Sequence, residues 1–181
     1  MRTLSSSLFA SVDGVVESPN LWQFDQFDGE MGQLMMTVLP RQDAVILGRR
    51  TYDEWSGYWP TAQGDPFGDW INPLPKYVAS RTLTGPLSWQ NAELIEGDLI
   101  EFAQRLKEGE GGEVNVAGSI SVVRQLLFAG VLDTLTLMIH PVVAGTGKHL
   151  FEPTDDVTRL QLVNHVVTSK GNILATYALR A

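Results

Sequence analysis

The first two thirds of the chain alternate between the spacing of strands and the spacing of helices. LSSSLFASV, residues 4–12, mixes serine with apolar residues and is followed by Asp13-Gly14, which predicts a strand and a turn. The next apolar positions recur at i, i+3, i+4, i+7 and i+8, which predicts an amphipathic helix that packs on the core and ends at Pro40. These positions are Met31, Leu34, Met35, Val38 and Leu39.

A continuous apolar run, AVIL at 44–47, is typical of a central strand covered on both faces. Thr51 and Glu54 have the spacing of a capping box, which predicts that a helix begins near Thr51. Asp98 and Glu101 repeat this spacing ahead of another helix. The other elements predicted in this part are strands over 76–80 and 113–117 and a helix that carries Ile120, Val123, Leu126 and Leu127 on one side and ends at Gly130.

From Asp133 onwards the pattern contains strands alone. TLTLMIHPVV, LQLVNHVV and ILATYAL follow one another without a helical period, and a turn signal at 169–172 predicts that the last two form an antiparallel hairpin. The alternation of strands and helices in the first two thirds indicates parallel pairing. We therefore expect one domain over residues 1–181, built on a mixed sheet with helices on both faces.

The least regular segment is WSGYWPTAQGDPFGDWINPLP, residues 55–75, which is rich in glycine, proline and tryptophan. A structureless stretch of this length in a compact domain is usually functional or disordered, and its three tryptophans argue against disorder. We expect the segment to form the wall or lid of a pocket, with an ordered surface loop as the alternative.

Composition narrows the classes of partner. The formal net charge of −8 and the pI near 4.8 argue against nucleic acid, because binding to a phosphate backbone relies on lysine and arginine. The chain has no cysteine, which excludes disulfides, thiolate zinc sites and cysteine nucleophiles. No apolar run approaches the ~18 residues of a membrane-spanning helix, and no signal peptide is recognisable. We expect a cytoplasmic protein without membrane contact.

Two strand-to-helix turns carry residues suited to phosphate. Gly48 is expected to let a ligand approach the backbone, and Arg49 and Arg50 supply positive charge beside the start of a helix. Gly118 and Ser119 open a later helix in the same way. Each turn alone is also explained by the ordinary need of such turns for small residues and caps. Together, and with ASR at 79–81 ending the strand between them, they favour a ligand site at the carboxyl edge of the sheet.

Other familiar chemistry lacks the required spacing. GTGKH at 145–149 is not a P-loop, and no G-x-G-x-x-G joins a strand to a helix. The three histidines share no metal-ligand spacing and are expected to be core or surface residues. Asp25, Asp28 and Glu30 in FDQFDGE are better explained as a solvated acidic loop than as a cation site. No metal site is expected.

The order of the motifs resembles a known family. The chain resembles the family that joins dihydrofolate reductase to the reductase domain of bacterial riboflavin biosynthesis, and it is most similar to the stand-alone members. The motifs that carry the resemblance are LFASVDGVV, DAVILGRRTYDEW, YWPT with NPLPKYVASRTL, VNVAGSISVVRQLL and LMIHPVVAGTGKHLF, which cover nearly the whole chain. The resemblance implies a dihydrofolate reductase-like three-layer α/β/α fold, with a mixed, mainly parallel sheet of about eight strands and a C-terminal antiparallel hairpin. It also implies NADPH and a homodimer.

The resemblance assigns cofactor contacts to the turns described above. In the family, the arginine at the first turn contacts the 2′-phosphate and so favours the binding of NADPH over that of NADH. The end of the first strand lies beside the nicotinamide. The implied cofactor-binding residues are Ala10 and Ser11 at the nicotinamide, Gly48, Arg49, Arg50 and Thr51 at the phosphates, Ser80 and Arg81 at the adenosine, and Ala117, Gly118, Ser119, Ile120 and Ser121 at the pyrophosphate.

The chain departs from the family's pattern in three motifs. At the pyrophosphate turn, where the family has Gly-Gly or Gly-Ser-Gly, Ala117 precedes Gly118 and Ile120 follows Ser119. Val15 stands where riboflavin reductases carry a lysine, and Gly32 where dihydrofolate reductase has a carboxylate.

We expect an NADPH-dependent reductase that transfers hydride to a small heterocyclic or ribosylamino-type C=N or C=O substrate. Asp13 is the candidate acid or polar anchor, with a turn-stabilising role as its alternative. For the whole protein, the first alternative is a non-catalytic dinucleotide-binding protein. The second is an oligomerisation scaffold that pairs through the apolar strands of the last third, which is compatible with either of the other functions.

Overall fold

Eight strands form one sheet in the computed structural model, which describes residues 1–62 and 64–179. They are β1 (Leu4–Ser11), β2 (Gln42–Gly48), β3 (Lys76–Ala79), β4 (Ala92–Leu94), β5 (Glu113–Val116), β6 (Thr134–His140), β7 (Leu160–Val167) and β8 (Ile173–Leu179). Their order across the sheet is β4-β3-β2-β5-β1-β6-β8-β7. Neighbours from β4 to β6 are parallel, and β8 pairs antiparallel with β6 and β7. The predicted mixed sheet and terminal hairpin are confirmed.

Helices cover both faces of this sheet. They are α1 (Gly29–Val38), α2 (Arg49–Trp55), α3 (Pro66–Ile71), α4 (Leu99–Glu108) and α5 (Ile120–Phe128). Successive side chains of a strand point to opposite faces, so β2 separates the two layers. Ala44 and Ile46 pack in a core with residues of α4 and α5, whereas Val45 and Leu47 pack with residues of α2 and α3. The predicted three-layer α/β/α architecture is confirmed.

Two predicted helix ends appear as expected. Asp98 caps α4 by accepting hydrogen bonds from the N–H groups of Ile100 at 2.8 Å and Glu101 at 3.1 Å. Gly130 follows α5 with a φ of +70°, a conformation that glycine adopts without strain. Within the described residues, no helix is long and apolar enough to cross a membrane.

The start of α2 differs from the prediction. The strand β2 runs to Gly48 and α2 begins directly at Arg49, so Thr51 lies inside the first turn rather than at the cap. The Thr51 hydroxyl accepts a hydrogen bond from Ser119 Oγ at 2.8 Å. The Thr51 side chain therefore makes a tertiary contact with Ser119 instead of capping the helix as the sequence spacing predicted.

The apolar stripe of α1 is only partly buried. Met31 and Leu39 are in the core, as predicted. Leu34, Met35 and Val38 are half-exposed and line an open groove beside the sheet. The prediction that the whole stripe packs in the core of this chain is therefore wrong.

The segment 55–75 is more regular than expected. It contains a 3₁₀ turn at Trp59–Thr61 and the helix α3, whose first turn is capped by Asp65. The pattern also missed β4, which has three residues and lies at the edge of the sheet. Three residues are too few to show a period, which explains the omission.

Candidate functional site

The turns that follow three neighbouring strands meet at one edge of the sheet. Because β3, β2 and β5 are parallel and adjacent, their carboxyl ends lie side by side. One groove is lined by the predicted residues Gly48, Arg49, Arg50, Thr51, Ser80, Arg81, Ala117, Gly118, Ser119, Ile120 and Ser121. Ala10 and Ser11 end β1 beside β6, but both are buried and neither lines the groove.

The turn after β2 is hydrogen-bonded to the turn after β5. Gly48 donates its N–H to Ser119 Oγ at 2.7 Å. A Cβ atom on Gly48 would lie 3.2 Å from Val122 and 3.3 Å from Ser119. The close approach that requires glycine here is therefore between β2 and the start of α5. This contact is a second reason for glycine at position 48, and the approach of a ligand to its backbone stays a prediction.

The second turn also depends on a glycine, for two reasons. Gly118 has a φ of +59°, in the left-handed region that other residues rarely adopt. A Cβ atom on Gly118 would lie 3.0 Å from the Trp55 ring and 3.1 Å from Thr51. Its neighbour Ala117 is buried in the core cluster of Val45 and Tyr52, so the departure from the family's glycine places a methyl group in the core.

The two helices that begin at these turns, α2 and α5, have no side-chain cap at the N-terminus. An aspartate side chain caps each of α1, α3 and α4, whereas α2 and α5 have no side-chain cap. The first N–H groups of a helix have no partner inside the helix and carry partial positive charge. At this edge, the starts of two helices therefore offer N–H groups of the kind that suit an anion.

Arginine side chains extend this positive region. Arg49 bridges two of the turns, since its Nε lies 3.1 Å from Asp53 Oδ2 and its Nη1 donates to Thr82 Oγ1 at 3.0 Å. Arg81 is exposed and makes no ion pair with any described residue. Ser80 Oγ accepts hydrogen bonds from the N–H groups of Thr82 and Leu83, which shapes the turn after β3. Thr82 follows the ASR motif directly but was not predicted.

Aromatic side chains form one wall of the groove. Trp55, Trp59 and Phe67 line it. Their rings pack together, with centroids 5.5 Å apart for Trp55 and Phe67 and 4.7 Å apart for Trp59 and Phe67. The segment 55–75 thus contributes to the wall of a groove, and its role as a lid stays a prediction.

The carboxylate of Asp13 accepts hydrogen bonds from backbone groups of the same chain. Its two carboxylate oxygens accept hydrogen bonds from the N–H groups of Ala144 at 2.9 Å and Gly145 at 2.8 Å. Hydrogen bonds from Ser11 and from these two N–H groups lower the pKa of Asp13 to about 2. An aspartate ionised at neutral pH has no proton to donate, so these contacts favour the turn-stabilising role over that of an acid.

In the acidic FDQFDGE segment, Asp25 and Glu30 are exposed as predicted, but Asp28 is not solvated. Asp28 is buried and caps α1, while its Oδ2 accepts from Thr168 Oγ1 at 2.6 Å and from Asn172 Nδ2 at 2.8 Å. Burial raises the pKa of Asp28, but the hydrogen bonds from Thr168, Met31 and Asn172 outweigh it and lower the pKa. The segment therefore anchors the β7–β8 turn. Among the described residues, no group of three or more acids and histidines is arranged to hold a metal ion.

His140 is a core residue at the end of β6. Its Nδ1 lies 2.9 Å from Met138 O and its Nε2 lies 2.9 Å from Gln23 Nε2. Burial lowers the pKa of His140, which favours the neutral ring at pH 7. A neutral ring that donates through Nδ1 accepts from Gln23 through Nε2, so His140 fastens the segment after β1 to the sheet.

Comparison with known proteins identifies the family and the fold of the chain. The family model of the RibD C-terminal domain matches residues 2–174. The uncharacterized protein YyaP of Bacillus subtilis (strain 168) is 30% identical over 183 residues, which cover 97% of this chain and 94% of YyaP. A solved protein of Shewanella sp. PV-4 assigned to riboflavin biosynthesis has a TM-score of 0.76 at 18% identity, with 99% of both chains covered. The structure of dihydrofolate reductase from Enterococcus faecalis, complexed with NADP(H), has a TM-score of 0.62 at 15% identity. The match covers 99% of this chain and 97% of the Enterococcus chain.

Proposed function

The chain belongs to the RibD C-terminal domain family, and from this premise we propose that it is an NADPH-dependent reductase. It transfers hydride to a C=N or C=O group of a small heterocyclic or ribosylamino-type substrate, as in 5-amino-6-(5-phosphoribosylamino)uracil reduction. The observation that carries the proposal is the meeting of two uncapped helix starts and three arginines in one groove at the carboxyl edge of the sheet.

The residues present fit the phosphates of a dinucleotide. The uncapped N–H groups at the starts of α2 and α5 suit the pyrophosphate, and Gly118 keeps the second turn free of a side chain. Arg49 and Arg81, beside Ser80 and Thr82, suit the 2′-phosphate that distinguishes NADPH from NADH. Ala117 does not oppose this fit, because its methyl group lies in the core.

The reacting end lies toward the end of β1. When bound, NADPH supplies the hydride. The backbone at Ala10 and Ser11 pairs with β6 and is proposed to orient the nicotinamide. Trp55 and Trp59 line the groove and would exclude water from it. Two acids near this end, Asp13 and Asp28, accept hydrogen bonds from the chain that lower the pKa of each, which favours their ionised forms. We therefore assign the proton that accompanies hydride transfer to water rather than to either carboxylate.

The alternative function is a non-catalytic dinucleotide-binding protein. It is favoured by the engagement of Asp13 and Asp28, which leaves neither carboxylate free to serve as a proton donor. Turnover separates the two functions: oxidation of NADPH in the presence of a C=N or C=O substrate supports the reductase. Saturable binding without oxidation of NADPH by any ribosylamino or heterocyclic substrate supports the alternative.

Titration with NADPH and NADH, followed by quenching of tryptophan fluorescence, tests the cofactor. Trp55 and Trp59 line the groove, so their emission reports on it. We expect NADPH to bind at least about tenfold more tightly than NADH, because a charge-assisted hydrogen bond to the 2′-phosphate contributes about 1.5–3 kcal/mol. Arg49→Gln is expected to remove most of this preference and to leave NADH binding unchanged.

Arg41→Gln is the matched control for that titration. Arg41 lines the same groove but lies at the opposite end of β2 from the phosphate turns, so its loss changes the net charge without touching them. Equal affinities for NADPH and NADH, or an equal effect of the two substitutions, would contradict the proposed 2′-phosphate site. Absence of binding at millimolar NADPH would contradict the cofactor itself.

A further inference from the structure

Three charged side chains from different segments meet at the border of the groove. Glu17 follows β1, Arg50 lies in the first turn of α2, and Lys148 lies between β6 and β7. Arg50 Nη1 is 3.0 Å from Glu17 Oε1, and Lys148 Nζ is 4.0 Å from the same oxygen. The N–H of Lys148 donates to Glu17 Oε2 at 3.2 Å. Two cations and one backbone N–H therefore converge on a single carboxylate.

We propose that Arg50 and Lys148 form a phosphate-binding site in which the Glu17 carboxylate is the resident ligand, and that an entering phosphate group displaces it. The three donors are of the kind that bind phosphate oxygens, and the site borders the groove of the cofactor turns. The inference rests on the proposed function only for the source of the phosphate, which is either the cofactor or a phosphorylated substrate.

The present occupant is weakly held. The side chains of Arg50 and Lys148 are 67% and 58% exposed, that of Glu17 is 30% exposed, and Arg50 contacts Glu17 through one nitrogen. Exposed ion pairs of this kind contribute little, because water screens them and two long side chains must be ordered. A phosphate group carries more charge than a carboxylate and offers more acceptor oxygens to the same donors.

The exchange needs only the side chain of Glu17 to move. The backbone around it is fastened independently, because Val16 and Glu17 donate their N–H groups to Lys148 O at 2.9 Å and 3.3 Å. Val15 also forms a β-bridge with His149. Rotation of the Glu17 side chain toward solvent therefore frees both cations without opening the segment after β1.

The consequence is that Glu17 competes with every phosphate ligand of this site. Its removal leaves Arg50 and Lys148 without their internal anion and also removes a negative charge from the border of the groove. We expect Glu17→Gln to bind phosphate-containing ligands about three- to tenfold more tightly than the unmodified protein, the range set by the loss of one exposed ion pair and its repulsion.

Calorimetric titration of four proteins with NADPH and with ribose 5-phosphate tests the inference. The proteins are the unmodified chain, Glu17→Gln, the double variant Glu17→Gln with Arg50→Gln, and Glu54→Gln. Glu54 is an exposed residue of α2 that lines the same groove, so its variant reproduces the change in net charge away from the site. We expect a gain in affinity for Glu17→Gln alone, lost again in the double variant.

The two probes identify the source of the phosphate. A gain confined to NADPH assigns the site to the cofactor, and a gain for ribose 5-phosphate assigns it to a phosphorylated substrate. The inference is overturned if Glu17→Gln binds neither probe more tightly than Glu54→Gln, or if the gain survives the loss of Arg50. NADPH binding to none of the four proteins, with the expected pattern for ribose 5-phosphate, would contradict the proposed cofactor. The same result would support the phosphate site at Arg50 and Lys148.

Discussion

Lys76 is a charged residue placed wholly inside the protein. Its side chain is fully buried at the start of β3, and its Nζ donates to the carbonyl oxygens of Asn72, Leu74 and Gln90 at 2.9, 2.7 and 3.1 Å. The ammonium group also lies 4.7 Å from the centre of the Trp89 ring. Carbonyl dipoles and a ring face thus take the place of a carboxylate, and they hold α3 and the turn before β4 together.

The burial of Lys76 predicts a dependence of stability on pH. Burial lowers the pKa of Lys76 from 10.5 to about 8, so between these values the unfolded chain binds more protons than the folded one. The free energy of unfolding must therefore rise as pH increases from about 8 to 10.5. We expect Lys76 to contribute a rise of roughly 2 kcal/mol between pH 7 and pH 10.

Urea denaturation of the unmodified protein and of Lys76→Met over this pH range measures the effect. The methionine variant keeps a long side chain but cannot titrate, so the difference between the two proteins isolates Lys76. Parallel pH profiles would contradict the shifted pKa. All other ionisable groups are the same in both proteins, so their contributions cancel in the comparison.

Single residues also show what the pattern of the sequence can and cannot predict. Gly48 and Gly118 were both predicted at the phosphate turns, and both line the groove. The close contact that explains Gly48 is with Ser119 and Val122, more than 70 positions away, and no local pattern reports such a contact. The partners of Arg49 and Arg50, Thr82 and Glu17, were missed for the same reason.

At the scale of elements, long periodic segments were predicted well and short ones were not. The sequence pattern located α5 and the β7–β8 hairpin because several apolar positions in each repeat one period. It placed the start of α2 at Thr51 instead of Arg49, since the strand passes into the helix without a loop and Thr51 is used in a tertiary contact. The helix α3, with six residues, was hidden among glycines and prolines.

The edge strand β7 has the features of an interface. Its sequence LQLVNHVV contains no lysine, arginine, acid or proline, the residues that usually protect an edge strand from pairing with another chain. Leu162, Val163 and Val167 are about half exposed or more. The half-exposed stripe of α1 borders the open face of the same sheet. These features are those expected of the homodimer that the family resemblance implies.

We therefore expect a homodimer that uses β7, detectable by size-exclusion chromatography with light scattering. Val163→Lys should shift the protein to the monomer, because it places a charge in the apolar edge. Val157→Lys is the control, since Val157 is more exposed still, at 87%, but lies in the loop before β7. A monomeric unmodified protein, or equal behaviour of the two variants, would rule out β7 as the interface.

At the scale of the whole molecule, the topology of the sheet creates the site. The order β3-β2-β5-β1 places the turns after four parallel strands side by side, although they are far apart in the sequence. The alternation of strands and helices predicted this edge, and the resemblance of the motifs to a known family predicted the cofactor that we propose for it. The opposite end of the molecule carries the antiparallel hairpin, which is fastened to the start of α1 through Asp28.

The central claim is that the phosphates of NADPH bind to the uncapped starts of α2 and α5. Hydrogen–deuterium exchange of backbone amides with and without NADPH tests it most directly, because amides that lack partners exchange fast until a ligand accepts their hydrogen bonds. We predict slower exchange at residues 49–52 and 119–122, stronger with NADPH than with NADH, and no change in the hairpin at 160–179. Unchanged exchange at both helix starts under saturating NADPH, or protection confined to other segments, would contradict the account.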